Sequence, residues 1–207
     1  MVLWRHGRTA WNLEDRFQGS TDVELDEVGR GQADRAARLL ASLAPAAVVS
    51  SDLARARATA ESLARLVGLD VRPDERLRET FGGSWQGRTV AELLELDREA
   101  YLLWRSGADV PAGGGERRSE VAARVVPAIA DAVTGVPPGG TVVVVTHGGS
   151  ARAAIGTLLD LPLDRWAVVG GLANCSWSVL EEAPPAGWRL VEHNAGSLPE
   201  PVMADEE

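Results

Sequence analysis

Arg5-His6-Gly7 near the start of the chain and Thr146-His147-Gly148-Gly149 far downstream hold two of its three histidines. An imidazole with one nitrogen tied to a backbone carbonyl is a competent nucleophile near neutral pH. The fixed charge of Arg5 disfavours protonation of the neighbouring ring and makes the site suited to an anion, for which phosphate is the obvious candidate. As a lone tripeptide, Arg-His-Gly equally suits a histidine that merely closes a strand end. His147 alone resembles a metal ligand or a base, but the sequence has no spaced His/Cys/Asp cluster to complete a metal site. As a charged donor to a phosphoryl oxygen it needs only the anion site already implied. Phosphoryl transfer also needs further cations and an acid for the leaving oxygen. Arg55 falls in the first turn of an expected helix, where an anion also feels the helix dipole. Spacing alone does not choose among Arg55, Arg57 and Arg65. Glu79, in Arg78-Glu79-Thr80 ahead of a Gly-rich loop, is one candidate acid among many carboxylates. His193 has no companion motif and reads as structural.

The two histidines converge only if the strands that carry them lie side by side. Met1 to Arg5 and Thr141 to Thr146 both read as buried strands, the second uninterrupted and β-branched, as in a strand covered on both faces. Between them the pattern alternates. A polar loop with Asn12, Gln18 and Gly19 precedes a helix over Glu27 to Leu43. A strand at Ala46 to Ser50 leads to Ser51-Asp52, an expected N-cap for a helix from Leu53 to Val67 that ends at Gly68. A strand follows near Leu69 to Arg72, then the loop Leu77 to Gly87, two helical segments around Val90 to Arg105, and a helix over Arg118 to Val133. A helix over Ser150 to Leu161 is closed by Pro162. Ser176 to Glu181 and Trp188 to His193 flank Pro184-Pro185-Ala186-Gly187 and read as an antiparallel hairpin. This order predicts an α/β fold: a three-layer α/β/α sandwich with a mostly parallel central sheet and an antiparallel edge. Ligands of such sheets sit at the carboxyl ends of the strands.

At 207 residues the chain suits a single domain, expected over 1–197, with a disordered acidic tail over 198–207. The formal net charge of −9 argues against nucleic acid or an anionic membrane as a partner. No stretch is apolar enough to span a bilayer, and no signal peptide is evident at the start, so a cytoplasmic protein is expected. The single Cys175 cannot form an internal disulfide and reads as a small buried hydrophobe.

Taken together, Arg5-His6-Gly7-Arg8-Thr9, Ser51-Asp52-Leu53-Ala54-Arg55-Ala56, Leu77-Arg78-Glu79 and Thr146-His147-Gly148-Gly149 resemble the histidine phosphatase (phosphoglycerate mutase-like) superfamily in order and spacing. The likeness covers residues 1 to about 195. It implies that His6 becomes phosphorylated, that Arg5, Arg55 and His147 line the phosphate pocket, and that Glu79 is the proton donor. It likewise implies that Thr9, Asn12, Gln18, Gly19, Gly148 and Leu172 bind substrate. The implied reaction is metal-independent hydrolysis of a small phosphorylated metabolite, with no cofactor. Gly83-Ser84-Trp85-Gln86-Gly87 resembles the phosphatase branch rather than the mutases, whose longer Lys-containing insertion is missing here. Arg16-Phe17-Gln18-Gly19 and Gly170 to Trp177 resemble the glucosyl-3-phosphoglycerate phosphatases of that branch, with departures at Phe81 and Gly82. Glucosyl-3-phosphoglycerate is therefore the leading expected substrate. A broad-specificity phosphatase and a phosphoglycerate mutase-type phosphotransferase are the alternatives, and the likeness implies a homodimer.

Overall fold

Four short strands are parallel: β1 (Val2–Arg5), β2 (Ala47–Ser50), β3 (Val71–Pro73) and β4 (Val142–Thr146). Two longer ones, β5 (Trp177–Glu182) and β6 (Trp188–Ala195), run antiparallel at one side. They form one sheet in the order β3-β2-β4-β1-β5-β6. The computed structural model describes residues 1–185 and 187–196. Ala186 of the expected turn and the expected acidic tail, 198–207, lie outside the described residues.

The central strands are buried along their whole length, so both faces must be covered by helices. Alternation along each strand splits the core in two. Val2, Trp4, Val48, Val143 and Val145 face the small-residue sides of α2 (Glu27–Ala41) and α3 (Ala54–Val67). Leu3, Val49, Val142 and Val144 face α6 (Arg118–Thr134) and α7 (Gly148–Leu158). The layers, the mostly parallel sheet and the antiparallel edge are those the sequence predicts.

A smaller aromatic cluster under α4 (Val90–Leu96) and α5 (Arg98–Arg105) was not foreseen. Trp85, Leu93, Tyr101 and Ala112 are its buried members, with Phe17 and Trp104 packed against them. Trp85 also donates its indole N–H to Asp97 Oδ2 at 2.9 Å. This cluster fixes the Gly-rich loop after Glu79 against the rest of the molecule.

Three expectations about helix starts are corrected. The loop after β1 contains a one-turn helix, α1 (Ala10–Leu13), because Thr9 and Asn12 cap each other reciprocally across its first turn. Helix α3 is capped by neither Ser51 nor Asp52: Leu53 is its cap residue and contributes no side-chain bond. Tertiary partners compete for both side chains. Asp52 is taken by Arg78, with Arg78 Nε donating to Asp52 Oδ1 at 2.8 Å. The orphan amide of Ala54 is satisfied instead by Asp22 Oδ1 at 2.7 Å, from a distant loop. Helix α7 also starts earlier than Ser150, with His147 itself at the cap position.

Gly7 and Gly29 let backbone approach backbone beside the first histidine. A Cβ on Gly29 would lie 2.0 Å from the Arg8 carbonyl oxygen, and one on Gly7 would lie 2.4 Å from that of Gly29. The start of α2 is thereby locked onto the loop that leaves β1. Among the described residues no helix is long and apolar enough to cross a membrane.

Candidate active site

Arg5 and Thr146 are register partners on the neighbouring strands β1 and β4, so the next residues, His6 and His147, emerge together at the carboxyl edge. The His6 amide donates to the Thr146 carbonyl at 3.1 Å, and the two imidazole centroids lie 5.1 Å apart. His6 Nδ1 is 2.7 Å from the carbonyl oxygen of Gly7. A carbonyl can only accept, so Nδ1 carries the proton and Nε2 keeps its lone pair. The His6 carbonyl is itself held by the Cys175 amide at 3.1 Å and the Asn174 side-chain amide at 3.2 Å.

Burial holds the pKa of His6 well below its usual 6.5, and the charges of Arg55 and then Arg5 push it the same way. His147 is lowered likewise, by burial first, then by Arg55, His6 and Arg5. Both rings are therefore neutral at pH 7 in the ligand-free site. His147 Nε2 pairs with Ser51 Oγ at 2.9 Å, whereas its buried Nδ1 has no hydrogen-bond partner among the described residues.

A histidine whose folded pKa lies below its unfolded value contributes stability that is complete above about pH 6.5. That contribution is lost as pH falls from there toward the folded value, because the unfolded chain then binds more protons. The melting temperature is thus expected to decline below pH 6.5, and to decline less steeply in His147→Gln. Parallel pH profiles for the two proteins would refute this assignment.

Arg55 is fully buried in the first turn of α3. Its Nη1 and Nη2 donate to the carbonyls of Thr21 and Gly19, both at 2.7 Å, and its Nε is without a partner among the described residues. Burial lowers its pKa to about 10, a drop that Glu79 and Asp22 offset in part and Arg5 reinforces. Arg5 donates to the Leu172 carbonyl and lies against Gly148, where a Cβ would meet its guanidinium carbon at 3.6 Å.

Glu79 occupies the N-terminus of α7. Its Oε2 accepts from the Gly149 amide at 2.9 Å, and Oε1 accepts from the Thr80 and Ser150 amides at 2.8 and 3.1 Å. The carboxylate thus satisfies two orphan donors of the helix that His147 caps. Behind it, Arg124 donates to the carbonyls of Arg78 and Glu79 at 2.6 and 3.1 Å while paired with Glu116.

His6, His147, Arg5, Arg55, Glu79 and Gly148 therefore meet in one region. Thr9 and Asn12 are occupied with each other, and Asn12 Oδ1 also accepts from Asn174 at 3.2 Å. Gly19 contributes its carbonyl to Arg55, and the buried Leu172 contributes its carbonyl to Arg5. Gln18 carries a buried Oε1 without a partner among the described residues. Sequence reasoning overlooked the supporting residues. Buried Thr59 accepts from the Gly7 amide at 3.1 Å and donates to the Arg55 carbonyl at 2.8 Å, joining α3 to the His6 loop. Ser51 was read as a helix cap and as part of a motif but given no role at His147, and Arg124 was not singled out. His193 bonds Ser178 and the Gly170 carbonyl on the far strand, in keeping with a structural role. Cys175 is buried, which pushes its thiol pKa up. Among the described residues no group of three or more His, Cys, Asp or Glu is placed to hold a metal ion.

Residues 1–196 match the family model of the histidine phosphatase superfamily (branch 1). The chain is 43% identical over 211 residues to a glucosyl-3-phosphoglycerate phosphatase of Mycobacterium tuberculosis, covering 95% of each protein. It is 40% identical over 158 residues to phosphoglycerate mutase-like protein 4 of Arabidopsis thaliana, covering 74% of this chain and 68% of that one. Among solved structures, a mycobacterial glucosyl-3-phosphoglycerate phosphatase in complex with VO3 superposes with a TM-score of 0.90 at 44% identity, covering 95% of this chain and 98% of the other. The four motifs, the sheet that brings them together and these likenesses agree: the chain belongs to the histidine phosphatase superfamily.

Proposed function

We propose that this protein is a phosphomonoesterase that works through a phosphohistidine on His6, with glucosyl-3-phosphoglycerate as the best-supported substrate. The observation that carries the reading is the neutral His6, proton on Nδ1 and lone pair on Nε2, beside two arginines and a helix-anchored carboxylate. The substrate rests on the relatives' names.

In the first step the Nε2 lone pair of His6 attacks phosphorus, a P–N bond forms and the ester P–O bond breaks. Glu79 in its acid form gives its proton to the departing alkoxide. Arg5, Arg55 and His147 stabilise the charge spread over the equatorial oxygens. Entry of the anion supplies the negative charge that the ligand-free site lacks, so His147 gains a proton and donates through Nδ1, which has no partner among the described residues. In the second step the Glu79 carboxylate takes a proton from water, which attacks phosphorus and breaks the P–N bond. Inorganic phosphate leaves and both residues return to their starting states. No step requires a metal.

The reading extends to one domain over 1–197 and to a homodimer in the cytoplasm. Support for the dimer comes from β6 being an edge strand, with Val191 exposed on it. The test is phosphate release by chelator-treated protein from glucosyl-3-phosphoglycerate, 3-phosphoglycerate, common sugar phosphates and an aryl phosphate. Metal-independent release with a preference for glucosyl-3-phosphoglycerate is expected. Phosphoryl transfer between phosphoglycerates without release would favour the mutase alternative, and flat release across the panel the broad-specificity one.

A further inference from the structure

The Glu79 carboxylate is anchored by α7, but the backbone that carries it belongs to no helix or strand from Arg78 to Gly82. Carbonyls on such a segment must find donors elsewhere. Arg124, in the second turn of α6, supplies most of them. Its Nη1 donates to the carbonyls of Arg76 and Arg78 at 2.8 and 2.6 Å, and its Nη2 to that of Glu79 at 3.1 Å. Its Nε and Nη2 also donate to Oε1 and Oε2 of Glu116 at 2.7 and 2.8 Å, a bidentate ion pair. Glu116 in turn reaches the chain beyond Glu79. Its Oε2 accepts from the Phe81 amide at 2.7 Å, and its own amide donates to the Phe81 carbonyl at 2.8 Å.

A guanidinium has five N–H groups, and these bonds use every one of them. Arg124 keeps none for a substrate, so it can reach the reaction only through the segment it holds. Burial works to raise the pKa of Glu116, but its bonds to Arg124 and the Phe81 amide hold it below the usual 4.5, and the pair stays charged at neutral pH. The same segment is tied to the elements that carry His147. Thr146 Oγ1 donates to the Leu77 carbonyl at 2.8 Å, and Ser150 Oγ to that of Arg78 at 2.7 Å. The acid is thus gripped on both sides in sequence, against the strand end and helix start that form the phosphate pocket. Such precision bears on rate, because a displacement of about 1 Å at a reacting group can cost about 100-fold.

We propose that Arg124 and Glu116 are positioning residues for the proton transfer at Glu79, a charged clamp that sets where the carboxyl group stands relative to the leaving oxygen. Neither touches the reacting atoms. The inference rests on the phosphatase reading, since it takes Glu79 as the proton donor.

The test compares Arg124→Met, Arg124→Lys and Glu116→Gln with wild type and Glu79→Gln, in single turnovers of glucosyl-3-phosphoglycerate and of an aryl phosphate. A misplaced acid slows only the ester that needs its proton. Phosphorylation of His6 by glucosyl-3-phosphoglycerate is expected to fall about 10- to 100-fold in Arg124→Met, in maximal rate and not in the half-saturating concentration. Phenol release in the first turnover should stay close to wild type. Lysine keeps the charge but not the fork that pairs with Glu116, so Arg124→Lys should recover only part of the rate. Glu116→Gln keeps an acceptor for the Phe81 amide and should lose less than Arg124→Met. Equal losses on both esters, or losses that simply follow melting temperature across the variants, make the pair structural and overturn the proposal, as does failure of all three to fold. A leaving-group contrast in Glu79→Gln alone removes this inference and leaves the phosphatase reading standing. Without that contrast in Glu79→Gln the acid assignment falls and this inference with it, and a wild type that hydrolyses neither ester overturns the phosphatase reading as well.

Discussion

His6→Ala is expected to lower phosphate release from every monoester by roughly four orders of magnitude or more, the scale on which loss of a covalent nucleophile is felt. Binding need not fall with it, because Arg5 and Arg55 are held by backbone carbonyls and not by the imidazole. Nor should the fold suffer. The His6 backbone keeps its bonds to Thr146 and Cys175 whatever the side chain, and the substitution removes a buried ring whose protonation is disfavoured. The measurement is steady-state phosphate release together with alkaline, denaturing quenching after brief exposure to labelled substrate. Wild type should carry an acid-labile, base-stable phosphoryl group that is missing from the variant. Retained turnover in a folded His6→Ala protein would eliminate the phosphohistidine route. His147→Gln makes a useful contrast: it should slow the reaction yet still form the phosphoenzyme, since His147 stabilises charge and makes no bond to phosphorus.

The convergence behind this prediction was legible because it depends on strand order and side-chain type alone. Short apolar runs ending in Arg-His-Gly and Thr-His-Gly announce strand ends, and strands β1 and β4 pair in parallel with those ends aligned. What stayed hidden was fixed by contacts distant in sequence. Ser51 and Asp52 carry every local mark of a helix cap, yet His147 and Arg78 claim their side chains from 96 and 26 residues away. Thr59 looks like any helix threonine until its hydroxyl is found under the Gly7 amide. Local propensity described the elements well, and tertiary competition for side chains decided the site's supporting bonds.

Glu79→Gln separates the two proton transfers assigned to this carboxylate. With an alkyl phosphate, whose alkoxide leaves poorly, loss of the acid is expected to slow phosphoenzyme formation by about 10²- to 10⁴-fold. An aryl phosphate leaves with little protonation, so the same variant should still phosphorylate His6 quickly. Hydrolysis of that intermediate needs Glu79 again, now as the base, and should become rate-limiting. The expected signature is a rapid burst of phenol, one equivalent per site, followed by a slow steady state that wild type does not show. The amide also disturbs the support of the site. The carboxylate accepts at both oxygens, from Gly149 on one and from Thr80 and Ser150 on the other, whereas glutamine has only one acceptor atom. Its amide nitrogen must then face an N–H donor, an unmet bond worth about 1–3 kcal/mol, so a modest fall in melting temperature should accompany the kinetic effect. That structural cost cannot mimic the burst, because misplacement of the side chain alone would slow both substrates from the first turnover. Equal losses on alkyl and aryl phosphates with no burst would therefore take the proton-transfer role away from Glu79 and leave it a purely structural cap of α7.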